Sequence, residues 1–280
     1  MADAPTVGAW PARADVERRL EELVAAYEFE VVVLVPVVGA AVMIAGSMGV
    51  LPRRLAFDPM FLLAGTAVMR LPLVAGVAPL VDRRSAGLLV VLAAYTYAIE
   101  YVGVTTGWPY GEFSYVVELG PTVAGVPLGL PLFFVPLALN AVLLVDVLLG
   151  ERAGDWRVRV PAAVGLVLAV DLVLDPGAVA LGFWTYGGGA FYGVPASNYA
   201  GWLLSGTVAV AVLDRAFDHR AVRARHANCG VLLYDFASFV VLWGVVALAY
   251  GNWIPVLVAA LIGAGIAAAE RRRGTVAPAN

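Results

Sequence analysis

Apolar positions in this chain neither alternate nor keep to one helical face; they run on. Stretches near the roughly 20 residues needed to cross a hydrocarbon layer are separated by short polar or glycine-rich segments. Eight spans are predicted, at residues 31–50, 60–81, 86–106, 131–149, 160–181, 199–213, 230–250 and 253–269. The last two are parted by little more than Gly251 and Asn252, which makes them a hairpin. Since 199–213 is also short, seven spans is the alternative count. Helices that are apolar all round belong in a core or a membrane. The expected fold class is all-α: a polytopic transmembrane helical bundle forming one domain over residues 30–270, in the lipid bilayer of the cell membrane.

Composition agrees, since the chain is 61% hydrophobic and 14% charged, against about 25% charged in soluble domains. All 18 basic residues are arginines. With eight spans, fifteen of them fall on one side, only Arg53 and Arg54 on the other, and Arg70 inside a span. Basic residues mark the cytoplasmic side, so both termini are predicted to be cytoplasmic. Residues 1–29 are polar and acidic and contain the helix-like run ADVERRLEELVAAYEF. They are expected to form a surface amphipathic helix rather than a leader, because no basic start runs into a short apolar core. Residues 271–280 are expected to be a disordered tail. Cys229 is the single cysteine, so neither a disulfide nor a thiolate metal cluster is expected. His219 and His226, in the same arginine-rich loop, are read as surface residues.

Two loops on the arginine-poor side carry the unusual chemistry: GWPYGEFSYVVELGPTVAGVP at 107–127 and GFWTYGGGAFYGVP at 182–195. Neither holds a basic residue, and both end in Gly-Val-Pro. Their flanks match as well. Arg84 precedes Glu100 by 16 residues, as Arg159 precedes Asp175; Glu100 precedes Gly107 by seven, as Asp175 precedes Gly182. Pro127 precedes Asp146 by 19, as Pro195 precedes Asp214. Residues 84–146 and 159–214 thus read as two copies of a helix–loop–helix unit in one orientation, a parallel repeat; shared composition is the plainer reading. The repeat equates Glu100 with Asp175, each about 9 Å inside the membrane at 1.5 Å per residue. Asp171 lies one turn deeper on the face of Asp175.

A charge at bilayer depth costs about 2.5–3.5 kcal/mol on insertion scales, so the polar residues inside spans are candidates: Arg70, Glu100, Asn140, Asp171, Asp175 and Asp235. Asp146 and Asp214 lie close to arginines and read as interfacial partners. One arginine can pin helices by pairing with one carboxylate, but it cannot neutralise three. At least one acid should therefore keep its proton, the more so because Asp171 and Asp175 are neighbouring like charges. Tyr97, Tyr101, Trp108, Tyr110, Trp184, Tyr186, Tyr192, Tyr199 and Trp202 cluster around them in sequence. Aromatic faces stabilise cations where water is scarce, although membrane proteins also carry plain aromatic belts. Asn198 is placed to orient a water or a substrate hydroxyl, and Pro176 withholds an N–H from its helix. A neutral acid in an aromatic cage suits protonation of an electron-rich alkene in a long lipid, giving a tertiary cation that water captures or a ring closure consumes. No Walker A, GxGxxG or HExxH motif occurs. The Asp171–Asp175 spacing is single, deep and followed by proline, unlike a magnesium–diphosphate motif. No metal, no cofactor and no nucleic acid is expected. Carboxylate chains also occur in proton-coupled transporters, which is the rival class.

The segments DPGAVALGFWTYGGGAFYGVPASNYAGW (175–202) and EYVGVTTGWPYGEFSY (100–115) resemble the membrane carotenoid hydratases of the CruF type, and among them the haloarchaeal bisanhydrobacterioruberin hydratases. The similarity covers most of the chain. It implies addition of water to the terminal C=C of a carotenoid, giving a tertiary alcohol without redox chemistry or metal. The substrate would be a C50 carotenoid with two equivalent ends, or a C40 carotenoid in the bacterial branch. Arginine-only basic usage fits a halophile. The related lycopene cyclases make end-group cyclisation the alternative reaction, and a non-enzymatic carotenoid-binding protein is the alternative of another class. Other membrane enzymes of the carotenoid pathway are candidate protein partners. The resemblance brings no residue roles, so these rest on side-chain chemistry. Asp175 is the first choice as proton donor, Glu100 as its partner in water activation (or the reverse), and Asp171 as the group that tunes them. Arg70, Tyr97, Tyr101, Trp108, Tyr110, Trp184, Tyr186, Tyr192, Asn198 and Trp202 are the expected substrate contacts.

Overall fold

The structure is a computed structural model that describes residues 12–273. It is a bundle of helices capped at one end by short strands. In chain order come α1 (Arg13–Ala26), a π-turn (Glu30–Leu34) running into α2 (Val35–Ser47), α3 (Arg53–Ala56), α4 (Pro59–Val77) and α5 (Arg83–Thr106). Strands β1 (Phe113–Tyr115), β2 (Thr122–Val123) and β3 (Val126–Pro127) fill the first long loop, before α6 (Leu130–Leu149) and α7 (Trp156–Leu181). Then follow β4 (Trp184–Tyr186), α8 (Ala196–Ala216), α9 (His219–Asn228), α10 (Tyr234–Ala249) and α11 (Trp253–Arg273).

Local chemistry sets these boundaries. Asp58 caps α4 by accepting from the amides of Met60 at 2.9 Å and Phe61 at 3.1 Å, with Pro59 at the first helical position, where its missing N–H costs nothing. Asp82 and Ser85 bond reciprocally at the start of α5, a capping box. α5 and α7 both stop at a glycine in the left-handed region, Gly107 at φ +73° and Gly182 at φ +76°, a conformation that spares the last carbonyls and that other residues resist.

Among the described residues, seven helical segments are long and apolar enough to cross a membrane. The span predicted at 199–213 lengthens to the 21 residues of α8, because Ala196 to Asn198 and the final Asp214–Ala216 turn join it. The span predicted at 230–250 is shorter than expected: α10 has 16 residues and begins at Tyr234. Ahead of it, residues 230–233 form turns, yet Val231, Leu232 and Leu233 are almost wholly buried. Irregular backbone survives at such a place when protein wraps it. Here Gly76 on α4 supplies the room, since a Cβ there would lie 2.9 Å from Leu232 Cα.

α6 runs through the middle of the bundle, with Phe134 and every residue from Pro136 to Val147 buried and α4, α5, α7, α8 and α11 packed around it. The outer helices leave large apolar side chains bare: Val90 and Val91 on α5, and Leu257 and Leu261 on α11, are all more than half exposed. Apolar surface on that scale belongs against lipid.

The arginine-rich end is tied by ion pairs. Arg159 bonds Asp214 at 2.6 Å and reaches Asp146 at 3.9 Å, the interfacial role expected of both acids. α1 is helical but docked: Glu21 pairs with Arg225 at 2.6 Å, and Arg13 donates to the Ala78 and Val81 carbonyls. His226 departs from the surface expectation. It is 4% exposed, 3.3 Å from Glu270, because α11 continues through Arg273 and lies over it. That helix takes in the first three residues of the expected tail; the others lie outside the described residues. Cys229 is buried.

Arg70 settles on Asp235, with Asn140 donating to the other carboxylate oxygen and the Leu132 carbonyl accepting from Arg70 Nε at 3.2 Å. Asp235 stands in the first turn of α10, where free amides also favour a negative charge. This cluster joins α4, α6 and α10. Removing one partner strands a buried charge, which typically costs about 3–5 kcal/mol. We predict that Arg70→Met alone lowers thermal stability in detergent sharply, whereas Arg70→Met with Asp235→Leu recovers most of it; equal losses in the single and double variants would refute this.

Candidate active site

α7 carries the two acids. Asp171 and Asp175 lie one turn apart, 0% and 2% exposed. Their partners arrive because the chain reverses tightly after α7. Past Gly182, the Phe183 amide bonds back to the Ala178 carbonyl at 2.9 Å, and β4 returns Tyr186 over the helix end. The following hairpin closes through paired bonds between Phe191 and Val194. At Gly189 a Cβ would sit 2.1 Å from the Val194 carbonyl carbon, so only glycine fits the turn. Pro195 then starts α8, and Asn198 in its first turn is buried at 2% exposure.

Asn198 is the hub. Its Nδ2 donates to Asp175 Oδ2 and, at 3.2 Å, to Asp171 Oδ2. Its Oδ1 accepts from the Tyr186 hydroxyl at 3.0 Å, and that hydroxyl also lies 3.2 Å from Asp175 Oδ2. Glu100 on α5 is held by the Tyr115 hydroxyl. Burial and then the neighbouring carboxylates hold the Tyr186 phenol above its ordinary range; burial and then Glu100 do the same for Tyr115. Both phenols therefore stay protonated donors. Three buried polar atoms nearby lack a hydrogen-bond partner: Asp171 Oδ1, Trp184 Nε1 and the Tyr199 hydroxyl.

An aromatic wall joins the two carboxyl groups. β1 and β4 pair antiparallel, Phe113 opposite Tyr186, Ser114 opposite Thr185 and Tyr115 opposite Trp184. Ring centroids lie 6.1 Å apart for Phe113–Tyr186, 6.4 Å for Tyr115–Trp184 and 5.7 Å for Phe113–Tyr115. Tyr110 extends the wall towards Trp202, which stacks on Phe134 at 5.2 Å. The Tyr110 hydroxyl bonds Ser205 at 2.7 Å, and its ring lies so close to Gly201 that a Cβ there would meet it at 2.5 Å. Such an aromatic cluster has π faces of the kind that attract a cation, beside carboxyl groups able to move a proton. Among the described residues, no group of three or more His, Cys, Asp or Glu side chains is arranged to hold a metal ion.

Of the residues singled out from sequence, Asp171, Asp175, Tyr186 and Asn198 meet directly. Trp184, Tyr110 and Trp202 stand in the wall, and Glu100 joins it through Tyr115. The others point elsewhere. Arg70 is committed to Asp235 and not to the acids of α7. Tyr101 and Trp108 are 49% and 59% exposed, since Tyr101 is a third of a turn past Glu100 and Trp108 follows the reversal at Gly107. Tyr97 donates to the Leu128 carbonyl, and Tyr192 accepts from the Ile254 amide at 3.3 Å. Tyr115, which holds Glu100, is not among the residues expected from sequence. Its signal was the match of Phe113-Ser114-Tyr115 to Trp184-Thr185-Tyr186 inside loops of unequal length.

No solved protein structure matches the chain. A protein of Haloarcula japonica named bisanhydrobacterioruberin hydratase is 54% identical to it over 260 residues, which cover 92% of this chain and 89% of that protein. The profile described as carotenoid biosynthesis protein matches residues 57–266, a stretch that contains both acids of α7, Glu100, Asn198 and the whole aromatic wall. The chain belongs to the carotenoid biosynthesis protein family.

Proposed function

We propose that this protein is a carotenoid hydratase that adds water to the terminal C=C of an acyclic C50 carotenoid; its Haloarcula relative is named a hydratase of bisanhydrobacterioruberin, and the resemblance noted from the sequence implies the terminal bond and the chain length. Asp175 gives its proton to the alkene carbon that bears one hydrogen. The new C–H bond leaves a tertiary cation on the dimethyl carbon, facing the rings of Trp184, Tyr186, Phe113 and Tyr115. Water attacks that carbon, Glu100 takes the proton the water releases, and the tertiary alcohol departs into lipid. A proton passed from Glu100 back to Asp175 resets the pair, so the net change is one H and one OH added.

The observation that carries this reading is a count of hydrogens. The Tyr186 hydroxyl has one proton and lies within bonding distance of two acceptor oxygens, Asp175 Oδ2 and Asn198 Oδ1. The ring of contacts closes when Asp175 brings a proton of its own: Asp175 donates to Tyr186, Tyr186 to Asn198, and Asn198 to the aspartates. Two like charges this near one another in a dry place favour that arrangement. A neutral acid is what an alkene needs.

We predict that membranes of a carotenoid-producing host lacking its own hydratase gain pigments heavier by water when this chain is expressed. Asp175→Asn should lower that yield by about 10²–10⁴-fold, the usual worth of a positioned acid. Mass spectrometry of the pigments decides it: unchanged pigments with the wild-type chain reject the reading, and products of unchanged mass would mean cyclisation. The chemistry needs no cofactor, so hydration by the purified protein should survive exhaustive chelation and dialysis; loss restored by a metal or nucleotide would refute this. We also place the arginine-rich end in the cytoplasm, with substrate and product passing through the bilayer to other membrane enzymes of the pathway. A C-terminal reporter active only outside the cell would overturn that orientation.

A further inference from the structure

We infer that Tyr115 is the positioning residue of Glu100, as Tyr186 is of Asp175, and that an asymmetry between the two copies of the repeat makes Asp175 the acid and Glu100 the base. This rests on the hydratase reading.

The copies meet about a local two-fold axis. Matched by residue type across loops of unequal length, as aromatic–hydroxyl–tyrosine triplets, Ser114 corresponds to Thr185, and these two face each other in the β1–β4 ladder. Phe113 then corresponds to Trp184 and Tyr115 to Tyr186, so the pairs Phe113–Tyr186 and Tyr115–Trp184 exchange under the same rotation. Counting on from Gly-Val-Pro makes Phe134 the counterpart of Trp202, and these stack on each other with planes 17° apart. Gly107 and Gly182, also counterparts, adopt the same left-handed cap. Two equivalent tyrosines therefore reach two equivalent carboxyl groups, one in each copy.

The copies differ where it matters. The counterpart of Asp171 is Thr96, which is buried and bonds the Ala93 carbonyl; the counterpart of Asn198 is Leu130. Asp175 shares the Asn198 amide with a second carboxyl group, and two such groups retain a proton. Glu100 has no second carboxyl group and no amide. Tyr115 is the donor that holds its side chain; its donation works against the cost of burial and towards the charged form that a base requires.

The test separates protonation from water capture. Purified protein is given an acyclic carotenoid in D₂O, and both hydration and deuterium in the recovered substrate are measured. Tyr115→Phe should lower hydration at least tenfold, while recovered substrate still takes up deuterium at its end groups, because the cation returns a proton to Asp175. Glu100→Gln should behave likewise, and the double variant should be no worse than Glu100→Gln alone, since residues acting through one group are not additive. Asp175→Asn should lose uptake and hydration together. The inference fails if Tyr115→Phe hydrates normally, loses uptake in proportion to hydration, or worsens Glu100→Gln. Deuterium uptake by Asp175→Asn would overturn the hydratase mechanism beneath it as well.

Discussion

Asn198 Nδ2 between Asp175 and Asp171 is the contact on which the loop end of this bundle is organised. Two carboxyl groups one helical turn apart, both sealed from solvent, would repel each other and lack donors if left alone. A single amide serves both, and a phenol completes the ring. To bring Asn198 there, α8 must begin close to the end of α7, and that requires a short, glycine-rich return with no room for a side chain at Gly189. To bring Tyr186 there, α7 must end in a left-handed residue. The same difficulty recurs with Asp235, and there the protein solves it with a cation, Arg70. One solution yields a fixed charge pair that joins helices; the other, on the reading proposed above, keeps a transferable proton.

The architecture was readable because membrane helices obey a coarse rule. Long apolar runs with few charges gave the fold class and nearly every span, and the arginine distribution gave a self-consistent span map. Boundaries slipped where a polar residue is consumed inside the protein: α10 starts late because the turns at 230–233 bring Leu232 against Gly76 and because Asp235 sits at its first turn facing Arg70. His226 was read as a surface residue since nothing in its local run announces that α11 will lie across it.

At the site, carboxylates stood out because charge in an apolar run is costly, and Asp171, Asp175, Tyr186 and Asn198 do converge. Which acid Arg70 would meet could not be read, since three-dimensional proximity among mid-helix residues has no signature in spacing. Tyr101 and Trp108 were chosen for closeness in sequence, which on a helix or beyond a reversal turns side chains away. Tyr115 was passed over for the opposite reason: it sits 15 residues from Glu100, and only the alignment of two loops of unequal length shows what it faces.

The β1–β4 ladder, extended by the Val116 amide bonding the Phe183 carbonyl at 2.9 Å, stitches the two loops into a lid of main-chain bonds above the acids. For the polyene substrate proposed above, this seam of paired backbone lies across the loop end of the bundle. The hydratase reading then implies a substrate that enters sideways from the bilayer, with most of its length still dissolved in hydrocarbon and only its tip inserted. Catalysis in such an arrangement handles a long molecule by its end and leaves the middle of the chain to the membrane.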